Sequence, residues 1–142
     1  MIEAMTKSPE TLTEVHGAIS PKVLFEELRR GVLGQDRALR FASVAIHKHL
    51  LGKVSGNILL IGSSGTGKTT IMNNIQRLYD TVPGFENFRA VTILNANLLV
   101  DSDRTEFRPD RMFSAIEQRA RVILGERPSL AALKETMERA TV

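Results

Sequence analysis

The sequence predicts an α/β fold on a parallel sheet, of which these residues supply only the N-terminal part. Three observations predict it. Asn57-Ile58-Leu59-Leu60-Ile61 is a short continuous apolar run, the pattern of a strand buried on both faces. It runs directly into a glycine-rich loop, and the loop into a helical pattern. A second apolar run, Val91 to Leu94, supplies the next strand, so strand, helix and strand form a βαβ unit. Two strands make a poor sheet, so further strands are expected outside these 142 residues.

Each element follows in order. Residues 1 to 19 are polar and weakly periodic, and are expected to be a flexible lead-in to a domain spanning 20 to 142. Ser20-Pro21 reads as an N-cap followed by the first helical position. Val23, Leu24 and Leu28 give that helix an apolar stripe, and Gly31 ends it. Val32 to Gln35 is a loop. Asp36 to Leu51 is helical, with Ala38, Ala42, Ala45, Ile46 and His49 or Leu50 on one face. Gly52 to Gly56 turns into the first strand. After the glycine loop, Ile71, Met72, Ile75, Leu78 and Tyr79 mark a third helix. Residues 82 to 87 turn into the second strand, and 101 to 108 form a charged loop. Pro109 opens a helix with Met112, Phe113, Ile116, Ala120 and Ile123 inward, closed by Gly125. Pro128 opens the last helix, with Leu130, Leu133, Met137 and Ala140 aligned.

Composition narrows the class. Hydrophobic content of 42% and charged content of 25% suit one globular domain. The net charge of +3 comes from 19 Lys+Arg interleaved with 16 Asp+Glu, which permits an acidic ligand without demanding nucleic acid. No cysteine is present, which excludes a disulfide framework and a Cys-based zinc site. No apolar run approaches the roughly 18 residues that span a bilayer, and the first residues lack the apolar core of a signal peptide. A cytoplasmic protein is expected.

Gly62-Ser63-Ser64-Gly65-Thr66-Gly67-Lys68-Thr69 matches G-x-x-x-x-G-K-[ST]. The glycines let the backbone turn so that successive N–H groups face one anion. The following helix N-terminus favours phosphate, Lys68 adds a point charge for the β- and γ-phosphates, and the Thr69 hydroxyl is the expected ligand of Mg²⁺. Ser64, Gly65, Thr66, Gly67, Lys68, Thr69 and Thr70 are therefore the candidate nucleotide contacts. Hydrolysis also needs a metal-positioning acid at the end of a buried strand. Leu98-Leu99-Val100-Asp101 is the nearest match, but it follows the second strand too closely for a crossover helix. A loop or short helix is the expected reading there, with Asp101 as metal-site acid the alternative. No catalytic residue is assigned, and no arginine stands out as a finger.

Two segments together carry a resemblance. Pro21, Leu28, Val32-Leu33-Gly34-Gln35-Asp36-Arg37-Ala38, Ala42-Ser43-Val44-Ala45 and His49, followed by Asn57 to Thr69, resemble the start of the AAA+ module of ClpX-type and HslU-type protein unfoldases. The likeness covers residues 20 to about 80 and thins beyond. It implies the αβα sandwich of a P-loop NTPase, binding of ATP or ADP with Mg²⁺, and a parent ATPase that assembles as a ring, usually a hexamer. It further implies a polypeptide substrate and a possible protease partner, with no role for a membrane and none expected for nucleic acid. Val32 and Leu33 would lie against adenine; read without the resemblance, they are an apolar lead-in to a helix. Gln35 and His49 would be structural. The family's aromatic pore loop corresponds to Thr105-Glu106-Phe107-Arg108-Pro109, where the flanking glycines are missing. Phe107 is either the pore aromatic or a residue facing a core or leading into a helix. The family's acidic strand, sensors and arginine finger are expected after Val142, so this chain would bind nucleotide with little turnover. Two other readings compete: a small self-contained P-loop kinase or NTPase using Asp101 or Asp103 for metal, and a DNA-associated AAA+ motor or loader.

Overall fold

The computed structural model describes residues 19–53, 57–101 and 103–142. They fall into two compact units, Met1–Gly84 and Phe85–Val142. The lead-in up to residue 18 and the end of the turn at 54–56 lie outside the described residues.

Among its described residues the first unit holds three helices: α1 (Pro21–Arg29), α2 (Asp36–Leu50) and α3 (Lys68–Thr81). Ser20 caps α1 as expected, its hydroxyl accepting from the Val23 N–H at 3.4 Å, and Pro21 takes the first helical position. Leu24 and Leu28 are fully buried, and α1 packs on both α2 and α3. Val23 instead faces solvent, one position off the buried stripe. In α2 the buried face is Leu39, Ala42, Ser43 and Ile46, rotated by about one residue from the Ala38–Ala42–Ala45 stripe. Ser43 tolerates that burial because its hydroxyl donates to the Leu39 carbonyl at 2.7 Å. Gly52, at φ 67°, closes α2 through its own N–H to His49 O and the Lys53 N–H to Lys48 O. Ile71, Leu78 and Tyr79 are buried on α3 as their spacing requires, with Asn74 among them.

The predicted strands are where structure and expectation part. Asn57–Ile61 forms no strand: Leu59 is 80% and Ile61 86% exposed. A strand exists only through a hydrogen-bonded neighbour, and among the described residues this run has none. The Val91–Leu94 run is reduced to one isolated parallel bridge, Val91 to Thr141. No parallel sheet is present among the described residues, which are mainly helical.

The second unit holds 3-10 turns at Glu86–Phe88 and Ala96–Leu99, a two-stranded antiparallel hairpin, and helices α4 (Pro109–Leu124) and α5 (Leu130–Glu138). The short helix expected before Asp101 is therefore present. The segment expected as a charged loop instead pairs β1 (Val100–Asp101) with β2 (Glu106–Phe107), Val100 opposite Phe107. Thr105, at φ 55°, donates its N–H to Asp101 O at 2.8 Å and closes the turn. Ser129, not Pro128, starts α5, because its hydroxyl accepts from the Ala132 N–H at 3.1 Å. Phe85, Ala90, Val91, Ile116, Ala120 and Leu133 are buried, and α4 packs on α5. Phe113 and Leu130, predicted inward, are exposed. No described helix is long and apolar enough to cross a membrane.

Candidate phosphate-binding site

The glycine loop and α3 form one continuous piece in the first unit. Gly67 occupies the N-cap of α3 at φ 88°, a conformation that costs a side-chain-bearing residue energy. No side chain caps this end. The first intrahelical bond runs from the Ile71 N–H to the Gly67 carbonyl at 2.9 Å. The amides of Lys68, Thr69 and Thr70 thus open the helix with no intrahelical acceptor, and the helix dipole adds its positive end there. Gly65 takes φ 79°, so two left-handed residues flank Thr66.

Lys68 reaches back over this loop. Its Nζ donates to the carbonyls of Gly62 and Ser63, each at 2.6 Å, and to Thr66 Oγ1 at 3.3 Å. Thr66 Oγ1 in turn donates to Ser63 O at 2.8 Å. The ammonium therefore sits on the loop, within one side chain's swing of the helix start. Ser64, Gly65, Thr66, Thr69 and Thr70 are exposed, while Gly67 and Lys68 are half-buried.

Val32 and Leu33 lie in the same unit but in different environments. Val32 is buried, whereas Leu33 is 89% exposed. Both line an open cleft of about 430 Å³ with Arg29, Gly34 and Asp36. Arg29 Nε lies 3.8 Å from Asp36 Oδ1 with both side chains about half exposed, so the pair adds little stability. Gln35 touches the loop directly: its amide donates to the Thr66 carbonyl at 3.0 Å. Asn74, which the sequence reading passed over, donates Nδ2 to the Leu28 carbonyl at 2.6 Å. Its signal was a polar residue at the i+3 position between Ile71 and Leu78, on the buried face. His49 is half-buried. Its neighbour His47 bonds through Nδ1 to Ile19 O at 2.8 Å, and because a carbonyl only accepts, that nitrogen carries the hydrogen.

In the second unit, Asp101 is engaged locally. Its Oδ1 accepts from the Asp103 N–H at 3.2 Å, and Oδ2 lies 3.7 Å from Arg108 Nη1. Phe107 is exposed on β2, which corrects the core-facing alternative. Among the described residues no three His, Cys, Asp or Glu side chains gather as a metal site.

No protein-family model matches the chain, and no solved structure matches it. Several curated proteins do. The ATP-dependent Clp protease ATP-binding subunit ClpX of Bacteroides thetaiotaomicron is 39% identical over 82 residues, which is 50% of this chain and 18% of that protein. The ATP-dependent protease ATPase subunit HslU of Rickettsia akari is 30% identical over 84 residues, 52% of this chain and 19% of HslU. Protein MoxR of Methylorubrum extorquens is 27% identical over 115 residues, 75% of this chain and 32% of MoxR. The matched segments thus make up less than a third of each of these relatives.

Proposed function

We propose, from a resemblance to AAA+ ATPases of the ClpX and HslU type that extends over about half of the chain, that residues 20–142 are the N-terminal part of an AAA+ nucleotide-binding domain whose loop binds ATP or ADP. One observation carries the reading: an uncapped helix N-terminus behind a left-handed Gly67, with the Lys68 ammonium already over the loop. That donor set suits a polyphosphate. The Ser64–Thr70 stretch would hold the phosphates, Lys68 would swing to the β- and γ-phosphates, and Thr69 would offer its hydroxyl to Mg²⁺. The metal would supply charge neutralisation between phosphate oxygens. Val32 and Leu33 would meet the base across the cleft they line.

The parent would be an ATPase that couples hydrolysis to protein unfolding, in a hexameric ring with a protease partner, in the cytoplasm. ClpX, an ATP-binding subunit of an ATP-dependent Clp protease, and HslU, an ATPase subunit of an ATP-dependent protease, support the ATPase and the protease partner in that reading.

The test is equilibrium dialysis of the chain against labelled ATP with Mg²⁺, followed by chromatography of the bound fraction. The expected result is ATP bound and intact, with binding abolished in Lys68→Ala while helix content by circular dichroism stays the same. Equal affinity in wild type and Lys68→Ala removes the phosphate-loop assignment. ATP recovered as ADP moves the hydrolytic acid into this chain.

A further inference from the structure

We infer that Gln35 and Asn74 are positioning residues that clasp the cleft-lining segment Gly31–Asp36 to the glycine loop and its helix, so that both sides of the nucleotide site are held at one spacing. The inference rests on the ATP-binding reading above. Gln35 and Thr66 are far apart in sequence, yet the Gln35 amide holds the Thr66 carbonyl at 3.0 Å. That carbonyl belongs to the peptide between Thr66 and Gly67, and in a planar trans peptide the C=O and N–H point in opposite directions. Fixing the Thr66 carbonyl on the Gln35 side therefore fixes the Gly67 N–H on the opposite side. Gly65 and Gly67 leave this peptide the widest choice of orientation in the loop, so an external tie has most to select here.

The second anchor is buried. Asn74 Nδ2 donates to Leu28 O at 2.6 Å, and Arg77 holds Asn74 Oδ1 through Nε at 3.0 Å and Nη2 at 2.8 Å. Gly31 passes so close that a Cβ there would lie 2.3 Å from Asn74 Oδ1. The end of α1 is thus seated on α3 with no room for a side chain. Between the two anchors run Val32, Leu33 and Gly34, which line the cleft together with Arg29 and Asp36. The distance from cleft to loop is set by two side-chain amides.

The test measures affinity of the whole chain for MgATP and for Mg²⁺-tripolyphosphate, which lacks the base. Gln35→Met keeps length and removes the donor; Gln35→Asn keeps the amide and shortens its reach. Gln35 is half-buried and makes its bond at an exposed position, so both variants are expected to stay folded, with stability lowered by no more than that one bond. In each, ATP affinity falls roughly three- to tenfold, the worth of about one net hydrogen bond. The preference for ATP over tripolyphosphate narrows, and the Gly67 amide exchanges faster without nucleotide. Wild-type ATP binding with both variants unchanged in affinity, preference and Gly67 exchange overturns the clasp and leaves the ATP reading standing. A wild-type chain that binds neither probe overturns both.

Discussion

The Asp110 carboxylate accepts both arms of the Arg108 guanidinium, Nε at 3.0 Å and Nη2 at 2.9 Å. That bidentate bond, ahead of the charge interaction, holds the Asp110 carboxyl below the usual aspartate range and raises Arg108. The sign follows from linkage: stability from a depressed carboxyl is present above the unfolded pKa and is lost as pH falls through the folded one. Titration by carbon-detected NMR is expected to place the Asp110 midpoint below that of a free aspartate, and Arg108→Ala is expected to return it. At this scale the glycine loop was legible from sequence as a candidate site because its residues are contiguous: glycines, lysine and threonine stand side by side from Gly62 to Thr69. The Gln35–Thr66 bond was not, because nothing local in Val32 to Gln35 says which distant carbonyl the amide meets.

Helices were readable as elements because their start and stop signals are local. Ser20-Pro21, Pro109 and Gly125 each fell where a helix begins or ends. The two serine caps differ in geometry, 3.1 Å at Ser129 against 3.4 Å at Ser20. Ser129→Ala is expected to cost about 1 kcal/mol, and Ser20→Ala less, as read by urea denaturation. The faces were harder. In α2 a run of alanines drew the stripe to Ala38 and Ala45, while the structure buries the larger Leu39 and accepts Ser43 beside it through a back-bond. Strands were harder still, since apolar content alone marks a segment that must be covered without naming its neighbour. Among the described residues Asn57–Ile61 carries that content without a strand partner and Val91–Leu94 pairs only at the Val91–Thr141 bridge, whereas Val100–Asp101 pairs with Glu106–Phe107 inside the charged segment.

At the scale of the molecule, the described surface carries an uncovered apolar run, with Ile58, Leu59 and Ile61 all exposed. Contiguous apolar exposure of this kind promotes association. Sedimentation velocity is expected to show the chain associating as concentration rises, and Leu59→Glu to hold it monomeric at the same concentration. Within Phe85–Val142 the strands missing from the expected sheet leave one trace. The Thr141 N–H donates to Ala90 O at 3.0 Å, and the Thr92 N–H donates to Thr141 O at 2.9 Å. This pair of bonds stitches the opening of the unit to its close and turns a linear stretch into a near-ring with a single seam. Where the ends of a unit lie side by side, its chain order is separable from its shape. A chain opened at the exposed turn of Asp103 and Arg104 and rejoined at the seam is expected to keep Ile116, Ala120 and Leu133 buried, with helix content by circular dichroism as the check.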